Sequence, residues 1–297
     1  MKMTSGVTTA LGGLVYSFHK RVKGIKSKFN ISYVKRGNRK EKLDVFYPVC
    51  AKTKRSKRAG KKLYPAIVYY HGGGWSCYDK SLYVTLMRRL ANMGFVVFSC
   101  NYSLAPKYKM DKIMEDARAA FKFVRDNGLR WGANTNIMIL GGDSAGAHIS
   151  SELTAEFIEE RNPNIKLIRA LLLFYGVYDF TTVTQSGFNN IKDYVDSSIP
   201  GGMNNNPELI KYSPMFKNLT EFPPVFMASG EVDKLHAGQS LRFYNVLNRN
   251  GVTTKAAFFD KNQPRAFHAF MNFDDLATTQ EVLTQVNEFL HKTLRIK

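Results

Sequence analysis

The hydrophobic pattern changes character along this chain. From Asn30 onward, Ile31 and Tyr33, then Leu43, Val45 and Tyr47, alternate with polar residues. That period-two pattern predicts half-buried antiparallel strands. Later segments are near-continuous apolar runs instead, at 64–70, 95–100, 137–140, 168–175 and 225–229. Such runs predict strands buried on both faces, as in parallel sheets. A further short strand is expected at 256–259. Helical spacing separates the runs. Leu82, Leu86 and Leu90 share one face of 81–93, 111–127 is amphipathic and stops at Gly128, 240–250 stops at Gly251, and 278–294 closes the chain. A glycine just past a periodic stretch is a helix stop. The alternation predicts an α/β domain with a mostly parallel sheet, an antiparallel front edge and helices on both faces.

Two segments break the alternation. Residues 1–28 carry a modestly apolar stretch at 7–18, broken by Gly12 and Gly13 and closed by His19, Lys20 and Arg21. A signal peptide would want a stronger apolar middle and small residues where those basic ones stand. An N-terminal arm packed over the body is expected instead. Residues 178–222 are polar and punctuated by Gly201, Gly202, Asn204, Asn205, Asn206 and Pro207. The segment is too long for a bare connection and follows a strand end, so it is expected to form a lid. The rest of 29–297 reads as one domain.

Composition narrows the class. Hydrophobic residues make up 44% of the chain, ordinary for a globular protein, and no apolar run approaches the ~18 residues of a membrane span. Cys50, Cys77 and Cys100 are too few and too scattered for a disulfide framework or a zinc site, which favours a reducing, cytoplasmic compartment. No metal or other cofactor is expected. The net charge of +19 is concentrated partly in 52–62 and partly in 20–28. A solvated basic loop is the favoured reading, and weak attraction to anionic surfaces through 52–62 is the alternative. No nucleic-acid module accompanies the charge, so no nucleic-acid partner is expected. A homodimer is left open.

The chemistry centres on Gly142-Asp143-Ser144-Ala145-Gly146, which follows an apolar strand and opens a helical stretch. This is the strand–turn–helix setting of a G-x-S-x-G nucleophile elbow. Upstream, His71-Gly72-Gly73-Gly74-Trp75 follows the 64–70 strand. Bare glycine backbone can bring N–H groups to a developing oxyanion, whereas a phosphate loop would continue Gly-Lys-Ser/Thr. Serine needs a base. Of six histidines, His268 lies in a loop after the last strand, at the edge where Ser144 emerges. His71 is expected to order the glycine loop, and His148, one helical turn beyond Ser144, to pack. The acid should follow the 225–229 strand, where Asp233 is preferred over Glu231. The order Ser144, Asp233, His268 is that expected for this topology.

These residues resemble the hormone-sensitive-lipase-like branch of the α/β-hydrolase superfamily, the bacterial esterase and lipase group. The likeness rests on His71–Trp75, Asn101-Tyr102-Ser103-Leu104-Ala105-Pro106, the elbow, Gly230…Asp233…Leu235 and His268-Ala269-Phe270. It implies a Ser144–Asp233–His268 triad, oxyanion donors at the N–H groups of Gly73, Gly74 and Ala145, and two cap segments. Departures are Ala269 for a usual Gly, Ser103 for a usual Arg, and Lys107 for a usual acidic residue. Trp75 and Tyr78 are expected to shape the pocket. The expected activity is hydrolysis of small-molecule carboxylic esters with short to medium acyl chains. An arylformamidase-like activity stays open because Ser144-Ala145-Gly146-Ala147-His148 also resembles that sister group's elbow. A non-catalytic small-molecule binder on the same fold is the remaining alternative.

Overall fold

The computed structural model describes residues 22–36, 39–51, 62–263 and 265–295. Eight strands form one sheet in the order β1-β2-β4-β3-β5-β6-β7-β8. They are β1 (Ile25–Arg36), β2 (Arg39–Pro48), β3 (Tyr64–Tyr70), β4 (Val96–Cys100), β5 (Ala133–Asp143), β6 (Ile168–Phe174), β7 (Val225–Gly230) and β8 (Thr254–Phe259). β2 runs antiparallel to both neighbours, and β3 to β8 pair in parallel. The mostly parallel sheet with an antiparallel front edge expected from the hydrophobic pattern is therefore present, in the α/β-hydrolase architecture that the resemblance implies.

The apolar runs owe their continuity to burial on both faces. In β3, Ala66, Val68 and Tyr70 join one core while Ile67 and Tyr69 join the other. β6 divides likewise, with Leu171 and Leu173 on one face and Leu172 and Phe174 on the other. Helices α1 (Val84–Asn92) and α6 (Ala277–Leu294) cover the second face through residues such as Met87, Leu90, Val286 and Leu290. Helices α2 (Met110–Asn127), α3 (Ala145–Glu159) and α5 (Arg242–Arg249) cover the first through Ile113, Phe121, Leu153 and Phe243. α5 is preceded by a π-helical stretch, His236–Leu241, which lies partly ahead of the helix start expected at 240.

The front strands differ from expectation in one respect. β2 was expected to be half-buried, with its polar residues facing solvent. Both of its faces are covered, Leu43 and Val45 joining one core and Phe46 the other, and Asp44 is fully buried and meets the Lys80 ammonium at 3.1 Å. Of the two front strands, β1 is the one at the sheet edge, with Lys26 and Lys28 exposed. Residues 25–28 of the expected arm already belong to β1, while 1–21 lie outside the described residues. The basic stretch at 52–62 is also outside them except for Lys62, whose backbone bridges to Ala51. The 178–222 segment carries helix α4 (Ile191–Ser198) and a further helical turn at Glu208–Lys211. Among the described residues no helix is long and apolar enough to cross a membrane.

Candidate active site

Strand ends at one edge of the sheet supply the site. β5 runs straight into α3 through Ser144, whose backbone sits at φ 49° and ψ −118°. That conformation is strained for a residue with a side chain and turns the hydroxyl out of the sheet. It is pinned by the Ser144 N–H on the Phe174 carbonyl at 2.9 Å and by the His148 N–H on the Ser144 carbonyl at 3.2 Å. The turn is so tight that a Cβ on Gly146 would stand 1.9 Å from the Tyr70 carbonyl oxygen, and one on Gly142 would stand 2.3 Å from the Gly146 backbone. Only glycine fits at either position.

Ser144, His268 and Asp233 meet although they come from three separate strand ends. His268 Nε2 is 3.0 Å from Ser144 Oγ, and His268 Nδ1 is 2.7 Å from Asp233 Oδ2. With the Nδ1 proton donated to the carboxylate, Nε2 is free to accept from the serine hydroxyl. Asp233 is itself fixed, since its other oxygen accepts the Leu235 N–H at 3.0 Å. Glu231, the competing acid, is exposed and accepts from the Lys261 backbone instead. The imidazole is held edge-on by Tyr175 (ring centroids 5.1 Å apart) and by Phe188 (4.6 Å).

The other histidines near this end are occupied elsewhere. His148 accepts the Trp75 Nε1–H at 3.2 Å and bonds the Tyr212 carbonyl at 2.7 Å. Burial pushes its pKa down to about 4, so it stays neutral. His71 bonds the Gly72 carbonyl at 2.7 Å and stacks on Tyr102, and burial lowers it too. These placements match the packing and loop-ordering roles expected of them.

The glycine loop stands beside the serine. Gly73 and Gly74 take φ 121° and 55°, and a Cβ on either would overlap the Cys77 carbonyl oxygen or the Tyr194 ring. The N–H groups of Gly73, Gly74 and Ala145 meet no acceptor among the described residues. Unbonded amides at a loop and a helix start can receive an oxyanion. Asp143, adjacent to the serine, hooks this loop to the elbow. It accepts the Gly72 N–H at 3.0 Å, the Tyr69 hydroxyl at 3.2 Å and the Tyr83 hydroxyl at 3.0 Å. Burial raises its pKa to about 6 despite those hydrogen bonds. Sequence reading missed this function. Asp143 was in the elbow motif, but nothing in the linear pattern announced that Tyr69 and Tyr83 would converge on it.

A cavity of about 250 Å³ opens at Ser144 and His268. Its apolar wall includes Val177, Leu235 and, from the 178–222 segment, Phe188 and Ile191. Tyr78 stands at its mouth, 61% exposed. Trp75, expected to help shape the pocket, borders the cavity but is 1% exposed, because its indole is bonded to His148 and packed on Phe180. It serves the core more than the opening. Ala269, where the resembled family has glycine, takes φ 70°, the left-handed region that glycine occupies without strain. Among the described residues no group of three or more His, Cys, Asp or Glu side chains could hold a metal ion.

A strained serine between a parallel strand and a helix, joined to a histidine and a buried aspartate from later strand ends, defines an α/β protein of the hydrolase type. A family model described as the alpha/beta hydrolase fold matches residues 67–272, and the chain belongs to that family, in its hormone-sensitive-lipase-like branch. It is 27% identical over 276 residues to Esterase LipQ of Mycobacterium tuberculosis, covering 86% of this chain and 60% of that protein. The chain thus spans about three fifths of that relative's length. It is 24% identical over 277 residues to kynurenine formamidase of Drosophila melanogaster, covering 89% of this chain and 82% of that one. An esterase of Pyrobaculum calidifontis has the same fold, with a TM-score of 0.75, 23% identity, and coverage of 98% of this chain and 92% of the other.

Proposed function

We propose that this protein is a serine carboxylic-ester hydrolase with Ser144 as nucleophile, His268 as general base and acid, and Asp233 as the group that orients His268. The observation that carries the reading is the hydrogen-bonded line from Ser144 through His268 to Asp233 at the floor of a small cavity. In acylation, Ser144 Oγ attacks the ester carbonyl carbon as its proton passes to His268 Nε2. The carbonyl oxygen becomes an oxyanion, received by the N–H groups of Gly73, Gly74 and Ala145. Collapse of the tetrahedral species breaks the carbon–oxygen bond to the alcohol, which leaves with the proton from Nε2. Water, deprotonated by the same nitrogen, then attacks the acyl-enzyme, releasing the acid and restoring the serine.

The cavity of about 250 Å³ favours short to medium acyl chains, with the 178–222 segment acting as a cap, Tyr78 at the entrance and the buried Trp75 bordering the cavity from the core side. The similarity to carboxylic-ester hydrolases supports an ester over a formamide substrate, and the same machinery suits cleavage of an acyl carbon–nitrogen bond as well as an acyl carbon–oxygen bond. Three free cysteines, Cys50, Cys77 and Cys100, support a reducing compartment such as the cytoplasm. Ser144→Ala should lower turnover of p-nitrophenyl butyrate on the order of 10⁶-fold with the fold retained by circular dichroism. An organophosphate should label wild type stoichiometrically at Ser144. Turnover by the alanine variant at the wild-type rate would overturn the assignment.

A further inference from the structure

The oxyanion donors come from two separate stretches of chain. Gly73 and Gly74 belong to the loop after β3, and Ala145 opens α3. Such a divided hole works only if the two stretches keep their register closely, because a hydrogen bond weakens steeply once its length or angle is lost. The structure grips the glycine pair from both flanks, and each grip comes from the elbow. On one flank Asp143 accepts the Gly72 N–H at 3.0 Å. On the other His148 Nδ1 accepts the Trp75 Nε1–H at 3.2 Å. Asp143 stands just before Ser144, and His148 stands one helical turn past it, with its own N–H on the Ser144 carbonyl. Trp75 needs such a hold. Its backbone takes φ 58°, a left-handed conformation that is costly with a side chain and persists only where the surroundings over-determine it. The Trp75 carbonyl is fixed too, by the Ala105 N–H at 2.9 Å.

The other nitrogen of His148 makes this grip possible. The ring is fully buried, and its Nε2 lies 2.7 Å from the Tyr212 carbonyl. A carbonyl only accepts, so Nε2 carries the proton and Nδ1 is left bare. The indole N–H only donates, and it meets that bare nitrogen. The 178–222 segment therefore sets the tautomer through Tyr212. The same segment brings Phe180 against both rings, with centroids 4.9 Å from His148 and 5.0 Å from Trp75. Any ring of this size would fill the space, whereas two directed bonds of opposite sense fix an orientation. We propose that His148 is a positioning residue for ester hydrolysis, holding Gly73 and Gly74 in register with Ala145 through Trp75 so that the three N–H groups converge on one oxyanion. This deepens the ester-hydrolase reading and rests on it.

The test compares His148→Phe, which keeps a ring and removes both bonds, with His148→Gln, which keeps one acceptor and one donor. Rates on p-nitrophenyl butyrate are taken per Ser144 titrated with an organophosphate, so that misfolded protein does not count. His148→Phe should lose about 10²-fold in kcat with KM within about threefold of wild type, because the oxyanion forms only on the way to the transition state. His148→Gln should recover about tenfold of that loss. A trifluoromethyl ketone adds Ser144 Oγ to its carbonyl carbon and leaves an oxyanion in the hole. Its affinity for His148→Phe should fall by a factor comparable to the fall in kcat/KM. Trp75→Phe removes the indole donor and leaves His148 in place. It should reproduce the kcat loss, and it carries the test if His148→Phe does not fold. A kcat within about threefold of wild type per titrated serine in either folded phenylalanine variant would overturn the proposal. So would a loss of kcat in His148→Phe with the ketone bound as tightly as by wild type. Failure of the underlying hydrolase reading looks different: wild type itself would not turn over the ester, and Ser144 would resist organophosphate.

Discussion

Asp233 is bonded through both carboxylate oxygens, one on His268 and one on the Leu235 N–H. Its role would be to hold one imidazole tautomer, so its charge matters as well as its shape. Asp233→Asn keeps the volume but favours the wrong tautomer and should cut kcat on p-nitrophenyl butyrate by about 10⁴-fold with little change in melting temperature. An activity within tenfold of wild type would mean that Asp233 does not serve His268. At this scale the sequence was informative wherever chemistry demands a residue type. Ser144, Asp233 and His268, which meet in one hydrogen-bonded line, were legible because each follows a strand run in the expected order, and Glu231 stands apart from that line. The Tyr69–Tyr83 pair on Asp143 was not legible. Its position depends on which loops fold back over the strand ends.

The strand–turn–helix unit from β5 to α3 works as an element because two close approaches fix it. The Gly142 and Gly146 positions are filled by backbone, not by side chains. Gly146→Ala would drive a methyl group into the Tyr70 carbonyl, so β3 and α3 would have to separate. The expected outcome is a loss of more than about 3 kcal/mol in urea unfolding, or no folded protein at all. A folded, active alanine variant would show that the elbow can open. The boundaries of the regular elements were read from the sequence to within a few residues for the buried strands. They were read less well for β2, where a polar Asp44 looked solvent-facing and proved to be paired with Lys80 inside the sheet. A local pattern cannot tell which neighbour will supply a counter-charge.

Across the whole molecule, charge and burial compete where α3 meets the 214–217 turn. Glu152 is 1% exposed, its Oε2 has no hydrogen-bond partner, and Lys217 stands 3.6 Å from its other oxygen. Burial raises its pKa to about 8, with Lys217 opposing the shift. The folded pKa lies above the ordinary 4.5, so the stabilising contribution is whole below pH 4.5 and is lost as pH rises toward 8. The loss is on the order of 5 kcal/mol. Glu152→Gln, which cannot ionise, should melt close to wild type at pH 5 and several degrees above it at pH 8.5. Equal melting temperatures at both values would show that Glu152 ionises without penalty. Lys217 retains Glu159 at 3.0 Å in the variant, so the substitution leaves no bare cation.

The sequence by itself determined the layered α/β plan, and it singled out Ser144, His268 and Asp233, which the structure brings together, and the glycine loop beside them. It could do so because apolar periodicity reports burial, and because a tight elbow and an oxyanion loop admit few residue types. Only the tertiary structure decided what surrounds those groups. It buried Trp75 against His148, brought Phe188 and Tyr175 onto the His268 ring, and clamped Gly72 through Asp143. Those contacts join residues distant in the chain, and their energy depends on distance and dielectric, which no local run of residues encodes.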